Sequence, residues 1–372
     1  MANNLNLINA SNIHSGGAIQ VAASFFEELV NLNELDFNIV ISSELNNELI
    51  LLEVDLSLFI SIRVYDTFGL SALIDFKFIK FLSKFETVFT IFGPLYCWRK
   101  PSYSIVGFAQ PWIIYPNNEV YKDLRFHKKI QIKCKYFLQS YFFYRGDEII
   151  VELEHVKTEL SKYIVSKKIH IVNNCVSSIF NNKDRWADIR YTPGNNDVTL
   201  GIVSRDYPHK NLNILKSVGE VLMKDFNVKV KFLVTLTPQE WSQKEIGFHE
   251  YVDNIGKIDI PQCPSFYNLV DGVIFPSLLE CFSATPIEAM MMKKPVFASD
   301  RPFVRQVCGD DAFYFDPTNP NDIASKIYEY FFNKKPKKNN LLDNAYAKAM
   351  TYNDPSERAK KYIRIIETIN KS

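Results

Sequence analysis

The chain has 372 residues, 47% of them apolar, with 43 Lys+Arg against 42 Asp+Glu and a formal net charge of +1. That length suits two domains of ordinary size, and the near-zero charge excludes nucleic-acid binding through a global positive field. Six scattered cysteines without a C-x-x-C pair exclude a disulfide framework, and no run reaches the ~18 to 20 apolar residues of a membrane span. A cytosolic protein with reduced thiols is expected. The opening MANNLNLINASN has neither a basic nor an apolar signal region, so no signal peptide is expected.

In chain order, residues 5–8 predict a first strand. It runs through Asn9 to a loop containing His14, Gly16 and Gly17, then into a helix over 18–32. Strand, glycine-bearing loop and helix open a doubly wound α/β domain. Without G-x-G-x-x-G the dinucleotide fingerprint is missing. Gly16 and Gly17 let the backbone approach a ligand closely, or simply make the turn. Further strands are expected over 37–42, 61–65, 87–92 and 105–108, the last ending in Ala109-Gln110-Pro111-Trp112.

Residues 122–145 predict a long helix. Lys122, Arg125, Lys129 and Lys133 fall on one stripe; Phe126, Ile130, Cys134, Phe137 and Tyr141 fall beside it. Such a helix can lie on anionic lipid, or serve as a half-buried domain helix with a solvated lysine face. A strand over 148–153, a helix over 155–161 and a strand over 169–172 complete the first half. The polar segment 181–196, with Pro193-Gly194, reads as a linker.

A buried strand over 198–203 then leads into Ser204-Arg205-Asp206-Tyr207-Pro208-His209-Lys210-Asn211 and a helix over 212–225. Two cations at the C-terminal end of a strand suit a diphosphate. A strand over 229–236 follows, then the segment 251–258. The stretch DGVIFPSLLECFSATPIEAMMMKKPVFASD, 271–300, predicts strand, loop, helix over 287–292, and strand. A helix N-terminus favours phosphate, and Glu280 and Glu288 flank it. Carboxylates beside a phosphate site are unfavourable unless they hold hydroxyls. The pattern therefore suggests a ligand with ribose at one end and a sugar at the other, a nucleotide sugar. A helix over 322–332, a Lys/Asn-rich stretch over 333–339 and helical sequence over 341–372 end the chain.

The run E-C-F-S-A-T-P-I-E-A-M, 280–290, resembles the E-x7-E signature of the family 4 retaining glycosyltransferases, usually E-G-F-G-x-P-x-x-E-A-M. Arg205 and Lys210 match the family's G-R-x-x-x-x-K-G/N, with Ser204 in place of Gly. The segments 169–175, 304–310 and 312–317 resemble further family landmarks. The runs L-I-N-A-S-N-I-H-S-G-G-A-I-Q-V-A and G-F-A-Q-P-W-I-I-Y-P look like bacterial glycosyltransferases of O-antigen or capsule assembly.

The resemblance implies a GT-B fold, two doubly wound Rossmann-like domains facing each other across a cleft. It assigns 1–185 to the acceptor, 197–340 to the donor, and returns 341–372 to the first domain. It also implies a nucleotide-diphosphate sugar donor, a glycan or lipid-linked oligosaccharide acceptor, and action at the cytoplasmic face of the plasma membrane. Glu280, Arg205 and Lys210 become catalytic. Glu288 holds the ribose, the N–H groups of Phe282, Ser283 and Ala284 hold phosphate, Gly16 and Gly17 face the phosphates, and Ile258 lies near the nucleobase. His14 and Gln110 are acceptor or sugar contacts; where many relatives carry a histidine this chain has Gln110, which cannot take a proton at neutral pH. No Asp-x-Asp occurs, so no metal and no cofactor is expected. With no carboxylate evident for a double displacement, a front-face substitution is preferred, the leaving phosphate deprotonating the acceptor. A GT-B nucleotide-sugar epimerase and a silent sugar-binding subunit remain alternatives.

Overall fold

The computed structural model describes residues 5–122, 124–192, 194, 196–333, 340–352 and 354–370. Pro193 of the expected linker, Asp123, and 334–339 of the Lys/Asn-rich stretch lie outside the described residues. The chain divides into two compact units: Met1–Pro116, Leu124–Cys175 and Asn353–Ser372 in the first, Asn117–Asp123 and Val176–Tyr352 in the second.

The first unit holds seven strands: β1 Asn6–Ala10, β2 Asn38–Ile41, β3 Ser61–Val64, β4 Thr87–Thr90, β5 Tyr103–Gly107, β6 Glu148–Val151 and β7 Lys168–Ile171. They form one sheet in the order β3-β2-β1-β4-β5-β6-β7, every pair parallel. Ile8 of β1 lies opposite both Ile39 and Phe89. Runs such as NIVI and TVFT are buried throughout, as a parallel sheet covered on both faces requires. Helix Gly17–Asn31 buries Val21, Ala22, Phe25, Phe26 and Leu29. Phe25 and Phe89 pack on Tyr362 of helix Pro355–Asn370, with ring centroids 5.2 and 5.3 Å away. Beside them Arg358, fully buried, donates to Asn174 Oδ1 at 2.6 Å and to the Val21 carbonyl at 3.3 Å.

The second unit holds β8 Val198–Ile202, β9 Val230–Val234, β10 Val252–Asn254, β11 Gly272–Phe275, β12 Val296–Ser299 and β13 Phe313–Phe315. Their order is β10-β9-β8-β11-β12-β13, again all parallel. Both sheets are therefore doubly wound. The order reverses between β1 and β4 in one and between β8 and β11 in the other, and such sheets bind ligands outside the strand ends at that switch. In the second unit the loops at the switch are those carrying Arg205, Lys210 and Glu280.

Two expectations are corrected. The segment 341–372 is two helices, not one returning element. Leu341–Ala349 buries Leu341, Ala345 and Ala349 in the second unit, against helix Thr285–Met291. Only Pro355–Asn370 joins the first unit. Pro355 opens a new helix because proline suits a first turn and breaks an interior. The basic helix spans Phe126–Tyr144 with Arg125 as its N-cap. Lys122 and Arg125 therefore lie off the helical stripe. Phe143 is buried and Lys129, Ile132, Tyr136 and Gln139 half-buried, so that line faces inward. The apolar stripe faces outward, with Phe126 78% and Phe137 76% exposed and Ile130 and Tyr141 exposed beside them. No described helix is long and apolar enough to cross a membrane.

Candidate active site

At the switch of the second unit, β8 ends and the chain passes Arg205 into a turn, Pro208–Lys210, capped by Asn211 in the left-handed region at φ 55°. Asn211 Nδ2 ties that turn to the Pro317 carbonyl at 2.8 Å. After β11, the Leu278 N–H donates to the His209 carbonyl at 2.7 Å, which lays the Glu280 loop against the Lys210 turn. Lys210 Nζ then reaches Glu280 Oε1 at 2.5 Å, with Glu280 only 8% exposed. The ammonium also lies 5.6 Å from the Phe275 ring centroid. Two expected catalytic residues, 70 apart in sequence, thus form one ion pair with little water around it.

Cys281 leads into half-buried Phe282, Ser283 and Ala284, and helix Thr285–Met291 starts with no side-chain cap on its first N–H groups. Glu288 lies in the first turn. Its Oε2 accepts a hydrogen bond from the Tyr267 hydroxyl at 2.6 Å, and Tyr267 is fully buried. Burial raises the Glu288 carboxyl above its ordinary 4.5, with the Tyr267 hydrogen bond pulling the other way. The burial that does this also pushes the Tyr267 hydroxyl well up, so it stays a donor.

Arg205 is not alone. Its Nε donates to both oxygens of Glu240, at 2.8 and 3.0 Å. Glu240 belongs to helix Pro238–Ser242, in a capping box with Thr237. Its carboxylate also accepts the N–H groups of Asp206 at 3.1 Å and Thr237 at 2.9 Å. Burial would raise this carboxyl, but those backbone and arginine hydrogen bonds outweigh it and hold it at about 2. The sequence held the signal for the cap, Thr237-x-x-Glu240, but not for what else the carboxylate touches. Tyr267 was likewise missed; a tyrosine on a buried helix face has no sequence mark of its own.

Ile258 lies half-buried in the loop after β10, the edge strand two places from β8. Gly16, Gly17, His14 and Gln110 belong to the first unit. Gly16 takes φ 70° as the N-cap of its helix, and a Cβ at either glycine would meet nothing within 4 Å. The pair therefore leaves open backbone at the end of β1. Gln110, half-buried, is the N-cap of helix Pro111–Ile114. The His14 ring is engaged within its own unit: Nε2–H donates to the Thr67 carbonyl at 2.9 Å, Nδ1 meets Glu44 Oε2 at 2.8 Å, and Phe68 stacks on it at 4.3 Å. Asp66 lies 3.7 Å from Nδ1, and the three side chains together could hold a cation. Burial lowers the His14 pKa, but Glu44, Thr67 and Asp66 raise it further, which favours a proton on Nδ1.

The model of the family described as "Glycosyl transferases group 1" matches residues 197–333. The O-antigen chain mannosyltransferase RfbU of Salmonella typhimurium is 23% identical over 165 residues, a match that spans 44% of this chain and 46% of that protein. Among solved structures, a glycosyltransferase from Rickettsia africae superposes with a TM-score of 0.68 at 17% identity over 100% of both chains. Anabaena HepE in complex with UDP-glucose gives 0.66 at 14% identity, over 98% of this chain and 99% of that one. Sucrose-phosphate synthase from Thermosynechococcus elongatus gives 0.67 at 13% identity, over 98% of each. These likenesses carry the fold. With two parallel doubly wound sheets and this match over the second, the chain has the GT-B fold, and its residues 197–333 are a domain of the glycosyl transferases group 1 family.

Proposed function

We propose that the chain moves a sugar from a nucleotide-diphosphate sugar to a hydroxyl of a glycan acceptor, with retention at the anomeric carbon and without a metal ion. The Lys210–Glu280 pair at the switch of the second unit carries this reading. Lys210 and Arg205 neutralise the leaving diphosphate, with the N–H groups of Phe282 to Ala284 beside them. Glu280 holds hydroxyls of the transferred sugar and favours the positive charge that builds at the anomeric carbon. The departing phosphate takes the acceptor proton. Activity should survive excess chelator, and proton NMR of fresh product should give the donor's anomer. Activity lost in chelator and regained with a divalent ion would sink the metal-free step, and an inverted anomer the retaining one.

Glu288 holds the ribose, through the carboxylate that Tyr267 steadies. Glu288→Gln keeps an acceptor for Tyr267 yet loses the charge. It should weaken nucleoside diphosphate binding by on the order of 1.5 to 3 kcal/mol. Hydroxyl donors favour the ionised carboxyl, so parent affinity should fall as pH drops through its raised pKa. Titration calorimetry across that range checks both, and a Gln variant with the parent's affinity and pH limb would remove the assignment.

The match to an O-antigen chain mannosyltransferase supports a role in surface polysaccharide assembly; we add to it a lipid-linked acceptor met at the cytoplasmic face of the membrane. Support for membrane contact comes from the outward stripe of Phe126, Ile130, Phe137 and Tyr141, with Lys133 beside it, on a helix without acidic residues. Phe126→Ser/Phe137→Ser should abolish sedimentation with anionic vesicles at low salt and leave the fold intact by circular dichroism. A parent chain that never sediments would make the stripe a plain protein surface.

A further inference from the structure

Among the described residues the Arg205 side chain bonds through Nε alone, and both oxygens of Glu240 are on that one nitrogen. The two terminal nitrogens of the guanidinium are thereby left as a fork, the geometry that grips phosphate bidentately. An arginine held only by its flexible stem would sample many directions; one held at Nε by a fixed carboxylate has its fork aimed. Glu240 is fixed in turn. The Asp206 and Thr237 N–H groups and the Thr237 hydroxyl all donate to it. Thr235, just after β9, ties the same two loops together, its hydroxyl accepting the Ser204 N–H at 3.1 Å. Asp206, next to Arg205, is pinned by Lys244 at 2.6 Å, and Lys244 also reaches Asn213 at 2.7 Å. The loops after two adjacent strands, β8 and β9, are thus clamped around one carboxylate.

We infer that Glu240 is a positioning residue, which sets the direction of the Arg205 fork for the diphosphate of the donor. The inference rests on reading Arg205 as a phosphate ligand. Glu240 carries a negative charge near where phosphate binds, so charge alone would make it harmful; its value lies in the Nε contact. That contrast gives the test.

Titration calorimetry with UDP and GDP, and with uridine and guanosine, is the measurement. Glu240→Gln places an amide N–H against backbone donors and loosens the Nε contact. It should weaken the diphosphate that the parent binds by about tenfold and leave the matching nucleoside unchanged. Glu240→Asp, which keeps the charge and shortens the reach, should lose as much. In an Arg205→Ala background, Glu240→Gln should cost nothing further. Thr237→Ala removes one hydroxyl donor to Glu240 and leaves its Arg205 and backbone contacts, so it should lower the melting temperature and weaken the diphosphate less than Glu240→Gln does. A Glu240→Gln chain that binds the diphosphate more tightly would make Glu240 a competitor for Arg205 and overturn the inference. Equal losses with and without Arg205, or losses shared by the nucleoside, would make it a structural residue. Weakening by Arg205→Ala with Glu240→Gln silent would remove the Glu240 role and leave the phosphate reading standing. A parent that prefers neither diphosphate to its nucleoside would end both.

Discussion

Lys210→Ala should lower turnover by roughly 10² to 10³, the usual result of deleting one preorganised partner of a developing anion, about 2.7 to 4 kcal/mol. The ammonium has three donors and is already spent in part on Glu280 at 2.5 Å. Its remaining donors are free to take diphosphate oxygens as negative charge collects on them. Added magnesium should not restore the rate, because the chain offers no Asp-x-Asp to hold the ion. The same substitution leaves the Glu280 carboxylate nearly buried without its cation, so the variant should also lose on the order of 3 kcal/mol of stability. The two effects separate in Lys210→Met/Glu280→Gln, which removes the stranded charge. Stability should return while turnover does not. Rates at saturating donor, well below each melting temperature, decide the matter; a loss under about tenfold, or rescue by magnesium, would refute the role.

Gly107→Ala should cost about 3 kcal/mol or more in urea unfolding of the first unit, at the severe end for overpacking. A Cβ there would stand 1.8 Å from the Ile91 carbonyl oxygen and 2.9 Å from its carbon, and both are backbone. The strand cannot step aside. Gly107 lies opposite Ile150 on β6, and its own carbonyl accepts the Gly93 N–H at 3.0 Å. Gly17→Ala makes the contrast. It meets no atom within 4 Å and sits in the first turn of a helix without a positive φ, so it should cost less than about 1 kcal/mol or stabilise slightly. If the two substitutions cost the same, β5 yields where its pairing says that it cannot.

The doubly wound architecture was legible because parallel strands buried on both faces must be short apolar runs, and NIVI, EIIV and GVIF are such runs. The elements of the Glu280 stretch were legible for a related reason, since a strand, a small-residue loop and a helix start lie consecutively there. What lies far apart in sequence was not. Nothing in the spacing of Arg205 and Glu240 says that the loops after β8 and β9 are neighbours. The basic helix failed differently. Its periodicity gives two stripes, but which one faces inward depends on what Phe143 and Tyr136 find beneath them. The break near Pro355 was readable, yet the assignment of Leu341–Ala349 to the second unit turns on small residues, Ala345 and Ala349, that fit close helix packing.

The division of the chain between the units also bears on the order in which a ribosome can finish them. Residues Val176–Tyr352 complete the second unit, while the first waits for Asn353–Ser372. Until those residues emerge, Phe25 and Phe89 lack Tyr362, and the Asn174 side chain and Val21 carbonyl lack Arg358. Nascent chains commonly fold from the N-terminal domain onward. Here the half that is translated first is sealed by a helix that emerges only after the whole of the second unit.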